Sequence, residues 1–159
     1  IGDQRGAVLW TINLGIVWYE QGRWSDALPL LIEGKDQATA QGSRSLQAGA
    51  HIFIGASLAA QGKQVEGLES IEHGLALAQT IHDQERILIG FLHRGRALAA
   101  MGRDSEAHAA LQEGLRQAEA SQMNRLTDYL RSELNRLSSP WPVSAPIRQQ
   151  PDAALSGPA

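Results

Sequence analysis

Residues 14–34, LGIVWYEQGRWSDALPLLIEG, place glycines at 15, 22 and 34. Forty residues on, 54–74 read IGASLAAQGKQVEGLESIEHG, with glycines at 55, 62 and 74. Forty further, 94–114 read RGRALAAMGRDSEAHAALQEG, with glycines at 95, 102 and 114. A fixed period of this size is the mark of stacked supersecondary units. It predicts a solenoid, an architecture that presents extended surfaces to partners more often than it carries chemistry.

Each forty-residue row reads as two helices. The first is expected to begin after Asp3, Ser43 or Asp83, whose side chains can accept from free N–H groups of a first helical turn. It ends at Gly22, Gly62 or Gly102, where glycine suits the left-handed conformation that closes a helix. The second helix follows two or three residues later. Asp26, Glu66 or Glu106 stands in its first turn, at the positive end of the helix dipole. In the first row Leu9, Ile12, Ile16 and Tyr19 recur at helical steps, and Leu31, Ile71 and Leu111 are equivalent apolar positions of the second helices. Gly15/Gly55/Gly95 and Ala27/Gly67/Ala107 hold only small residues. A glycine inside a helix costs ~1 kcal/mol relative to alanine, so three at one register predict close helix–helix approach.

After Ala120 one further helix is legible, with Leu126, Leu130, Leu134 and Leu137 on a stripe, which reads as a cap. The expected fold is all-α: a right-handed superhelical solenoid of antiparallel helix pairs spanning residues 1–138. Its repeats cover about 1–41, 42–81 and 82–121, and the capping helix 122–138. Residues 139–159, rich in proline and without apolar period, are expected to be a disordered tail.

Composition narrows the function. The formal net charge of −3 comes with no basic block, which argues against direct nucleic-acid binding. No apolar run approaches the ~18–20 residues that span a bilayer, so no membrane role is expected. Cysteine is absent, which removes disulfides, thiolate metal sites and thiol nucleophiles and fits a cytoplasmic setting. The five histidines form no i, i+4 pair or His–carboxylate cluster, and no G-x-x-x-x-G-K-[ST] loop occurs. Ser25–Asp26 and Ser105–Glu106 are helix-start chemistry. The expectation is a non-enzyme without cofactor or metal. Trp10, Trp18 and Trp24 crowd the first unit and read as packing; facing solvent, they would mark where an upstream repeat was removed, or an interface. The start at Ile1, without Met and inside an apparent turn, leads us to expect a portion of a longer protein.

These columns resemble the tetratricopeptide repeat, whose unit carries Leu-Gly in its first helix, Gly at the turn and Ala early in the second. Leu14-Gly15, Gly22-Arg23-Trp24-Ser25-Asp26-Ala27-Leu28, Ile54-Gly55, Gly62, Gly67 and Gly102-Arg103-Asp104-Ser105-Glu106-Ala107 carry the resemblance. The period exceeds the usual ~34 residues, and Thr39, Gln79 and Glu119 replace the terminal proline. The unit is similar to the forty-residue variety found in bacterial signalling and transcriptional regulators. The resemblance implies that first helices line a concave face, here Leu9, Ile12, Ile16, Tyr19 and Glu20, then Ile52, Ala56, Ala59 and Ala60, then Ile89, Leu92, Arg96 and Ala99, then Tyr129 and Arg136. It implies a regulatory scaffold binding a protein or peptide, with an acidic group of the ligand near the arginines and self-association through exposed repeat ends. The alternative it implies is an effector-sensing domain of a nucleotide-dependent regulator, binding a small molecule.

Overall fold

The computed structural model describes residues 4–139. Among them are seven helices and no strand: α1 (Gln4–Glu20), α2 (Trp24–Ala40), α3 (Arg44–Ala60), α4 (Gln64–Thr80), α5 (Gln84–Ala100), α6 (Asp104–Ala120) and α7 (Asn124–Ser138). The first six have 17 residues each and every connection has three, so the structural rhythm is twenty, half the sequence period.

One turn is used six times. The residue at its left-handed position is Gly22, Gly42, Gly62, His82, Gly102 or Gln122, all at φ between 54° and 87°. The next amide reaches back five residues, as from Arg23 N to Trp18 O at 2.9 Å and from Met123 N to Ala118 O at 3.0 Å. This is the Schellman closure, which satisfies helix-end carbonyls within the turn itself. At the helix starts, Asp83 caps α5 by accepting from Arg86 N at 3.2 Å. Ser43 does not cap α3, contrary to expectation. Its backbone does the joining: its N–H goes to Ala38 O and its carbonyl accepts from Gln47 N, while the hydroxyl reaches no first-turn amide. Asp3 lies outside the described residues, as does the tail beyond Ser139.

Each first helix packs against the second helix of its own unit and against its neighbouring first helices: α1 on α3, α3 on α5, α5 on α7. Among the described residues the second helices do not touch one another. The stack therefore curves with the first helices inside. Its core falls into three successive clusters, one around Val8, Ile12 and Leu31, one around Ile71, Phe91 and Leu98, and one around Leu88, Leu111 and Leu130.

The small columns set the spacing within units. A Cβ at Gly15 would stand 2.8 Å from Leu31, and one at Gly95 would stand 2.5 Å from Leu111. The middle unit is tightest, because both columns are glycine there. A Cβ at Gly55 would meet the carbonyl of Gly67, and one at Gly67 would lie 2.6 Å from the carbonyl of Gly55. In the reverse direction Gly34 receives Ile12 and Gly74 receives Ile52. The tryptophans do not behave as a packed group. Trp18 is half-buried beneath the Arg23 guanidinium at 4.5 Å, but Trp10 and Trp24 are exposed among the described residues.

Candidate functional site

The inner helices enclose a half-open groove of about 800 Å³. α5 supplies its spine: Glu85, Ile89, Leu92, His93 and Arg96 follow at steps of four, three, one and three, which aligns them on one helical face. The Schellman turn after α1 delivers Tyr19, Glu20 and Trp24 to one wall. The equivalent turn before α7 brings Met123 and Arg125, with Leu126 and Tyr129, to the other. Phe53 of α3 closes the floor.

Three rings meet on that floor. Tyr19 and Phe53 lie edge-to-face at 5.6 Å between centroids, Tyr19 and His93 at 5.5 Å, and Phe53 and His93 at 5.0 Å. Such T-shaped contacts set the ring quadrupoles favourably and hold the floor rigid. His93 is buried. Burial first, and the Arg96 charge second, push its pKa down to about 3, so the imidazole is neutral at ordinary pH. Burial also raises the Tyr19 phenol, an effect that the neighbouring Arg96 partly offsets.

Arg96 is held across the inner layer. Its Nε and Nη2 donate to Glu133 Oε1 of α7 at 2.9 and 2.7 Å, and Arg136 Nε donates to Glu133 Oε2 at 3.0 Å. Burial raises the Glu133 carboxyl, but the hydrogen bonds and charges of Arg96 and then Arg136 outweigh it and leave its pKa lowered. The acidic ligand group expected at these arginines therefore meets a carboxylate already in place. The open features are elsewhere: Trp24 is 38% exposed and Tyr129 47%, on opposite walls. Arg125 stands 5.9 Å from the Tyr129 ring, and Glu20 and Glu85 lie at the rim.

Of the residues expected on this face, Tyr19, Glu20, Ile89, Leu92, Arg96 and Tyr129 come together in the groove. Ile12, Ile52 and Ala56 are buried instead, Ile12 and Ile52 in the seam against Gly34 and Gly74. Ile16 is partly buried against the α1–α3 core, Leu9 is exposed outside the groove, and Arg136 is tied to Glu133. In α3 the expected stripe of Ile52 and Ala56 lies one step round the helix from the groove-facing Phe53, whereas in α5 Ile89, Leu92 and Arg96 do face the groove. Phe53 and His93, which do face the groove, occupy the adjoining column, forty residues apart, next to Ile52 and Leu92. Trp24 was missed because it belongs to a second helix, and its reach into the groove depends on the turn.

The groove lining holds no Ser, Thr, Cys, Asp or Lys, and its histidine is buried in edge contact with Tyr19 and Phe53. Among the described residues no group of three metal-ligating side chains converges. A second His contact, His51 against His73 at 4.3 Å, joins α3 and α4 outside the groove; burial foremost, then His73 and Lys35, lowers His51 to about 4. No helix of the described residues is long and apolar enough to cross a membrane.

A crystal structure of a TPR-like protein from Chlorobium tepidum TLS superimposes on the chain with a TM-score of 0.65, covering 86% of this chain and 97% of that one. The fold is TPR-like. Sequence identity is 13%, so the likeness speaks for the helical-repeat architecture alone. Neither a family model nor a curated protein sequence matches the chain.

Proposed function

We propose that this TPR-like chain is a non-catalytic interaction module that takes an apolar peptide segment or helix of a partner protein into the groove of its inner helices. The observation that carries the reading is the placement of Trp24 and Tyr129. Two large rings stand exposed on facing walls over an apolar floor of Phe53, Ile89 and Leu92. Exposed aromatics around a preformed depression are the residues that dominate protein-binding energies, and helix-in-groove docking needs just such an apolar trough. With Arg96 neutralised by Glu133, selectivity falls to shape and to the rim charges Glu20, Glu85 and Arg125. The setting proposed for such a module is regulatory, within a cytoplasmic signalling protein.

The groove volume also lies within the range of small-molecule sites, ~300–1,000 Å³, which supports effector sensing as the second reading. One experiment separates them. Peptides selected from a random helical library against the folded chain should bind the wild type and lose at least about tenfold in Kd, ~1.4 kcal/mol, with Trp24→Ala or Tyr129→Ala. Selected peptides indifferent to both substitutions would overturn the peptide reading. A metabolite-library thermal-shift response abolished by the same substitutions would favour the effector reading.

A further inference from the structure

Most of the charges around the groove are matched within the molecule. Arg96 and Arg136 share the Glu133 carboxylate, and Arg23 donates to Asp26 at 2.9 Å. Glu85 and Arg125 hold the same place in the first turns of neighbouring inner helices, forty residues apart, and offset one another in sign. Glu20 is the exception. It is the last residue of α1 and lines the groove, and among the described residues no hydrogen bond or ion pair reaches its carboxylate. Its own helix does not favour it there, because a C-terminal end is the negative pole of the helix dipole. Glu119, also in a last turn, is paired with Arg131 at 2.9 Å; Glu20 stands alone.

Trp24 lines the same wall, four residues on across the turn. Its side chain meets no ring, cation or hydrogen-bond partner among the described residues. The turn demands neither residue, since the equivalent positions of the later units are Ala60 with Gln64 and Ala100 with Asp104. What such a pair can hold is shown beside it. The Arg23 guanidinium lies 4.5 Å over Trp18 while its Nε donates to Asp26, so an indole and a carboxylate together hold one guanidinium. Trp24 and Glu20 offer the same two groups to the groove. On the facing wall the Tyr129 ring already has Arg125 at 5.9 Å. The two walls therefore differ in sign: one sets a carboxylate beside a bare indole, and the other carries a cation on its ring.

We infer that the partner segment carries an arginine on the flank that meets α1, with its guanidinium over the Trp24 indole and its N–H groups donating to Glu20. The arginine rests on the peptide reading of the groove and adds to it which side chain of the partner is selected and where. A guanidinium fits this pair better than an ammonium, because a planar cation can lie on an indole and still turn an N–H edge toward a carboxylate. A carboxylate at the same place would be repelled by Glu20. The contact also sets which way round the segment lies: its basic flank faces α1, its apolar face rests on Phe53, Ile89 and Leu92, and its other flank meets Arg125 and Tyr129.

A helical peptide library randomised on both flanks, selected against the full chain, supplies the probes. The winners are expected to share an arginine at one position. Replacing it with citrulline keeps the shape and removes the charge. That change should cost at least about tenfold in Kd on the wild type and less than about twofold on Glu20→Gln. Glu69→Gln on α4, outside the groove, removes the same charge and should leave the full citrulline loss in place. Circular dichroism and melting of both variants establish that they fold, as substitution at exposed positions should allow. Winners that need Trp24 and Tyr129 but share no arginine would overturn the arginine contact and leave the groove reading standing. So would a citrulline loss that persists in Glu20→Gln or vanishes in Glu69→Gln. Winners indifferent to Trp24→Ala and Tyr129→Ala, or no winners at all, would overturn both.

Discussion

At the scale of single residues, the groove is organised around a histidine that does not titrate in the ordinary range. Three helices contribute to its burial: Tyr19 from α1, Phe53 from α3, and its own α5 with Arg96 one turn away. The consequence for stability follows from the sign of the shift. Above pH ~6.5 the imidazole is neutral in both folded and unfolded chains and pH has no hold on it. Below ~6.5 the unfolded chain takes up a proton that the folded site refuses until about 3, so stability falls on acidification by up to ~1.4 kcal/mol per pH unit. His51, lowered to about 4, acts in the same direction over a narrower pH window. Glu133 acts at lower pH: its folded-state pKa is depressed, so its contribution is present above ~4.5 and lost beneath. Urea unfolding at pH 7.0 and 5.5 should therefore show the wild type losing stability and His93→Leu losing ~1 kcal/mol less. Equal losses in the two proteins would mean that His93 is protonated in the folded state.

At the scale of elements, the twenty-residue rhythm rests on one turn, and two of its six copies are made with the wrong residue. His82 and Gln122 adopt φ of 54° and 55°, where a side chain costs ~1–2 kcal/mol and glycine costs nothing sterically. Glycine gives back ~0.5–1 kcal/mol through the entropy of the unfolded chain. His82→Gly should thus raise stability by about 0.5–1 kcal/mol, read as a higher melting temperature; an unchanged or lower value would show that the His82 side chain earns its strained position through contacts. These two positions also explain what the sequence could and could not disclose. Helix starts and stops were legible wherever the turn carried Gly22, Gly62 or Gly102. Gly42 stands in the same role, yet the half-period stayed hidden because His82 and Gln122 interrupt that series. The packing columns were legible because close approach forbids side chains. The groove was half legible: helical periodicity names an apolar stripe, but only the crossing geometry decides whether Ile12 and Ile52 or Phe53 and His93 face the opening. The Arg96–Glu133 pairing, 37 residues apart and between different units, leaves no local pattern to read.

At the scale of the whole molecule, stability is mainly a chain of neighbour contacts: among the described residues the backbones of the second helices stay apart, and first helices pack on adjacent first helices, with the Tyr19 ring of α1 reaching His93 of α5 across the groove floor. In such a stack each unit is held by its own packing and its immediate interfaces, and the ends have one interface fewer. The burial follows that logic. α3 and α5 each bury nine residues, whereas α7 buries Thr127 and Leu130 and α1 buries Val8, Ile12 and Gly15. The glycine-tight α3–α4 seam lies at the centre. Native-state amide exchange should accordingly be slowest in α3 to α5 and fastest at α1 and α7, with the two ends opening independently of the middle. Protection spread evenly from α1 to α7 would instead mean that the stack unfolds as one unit.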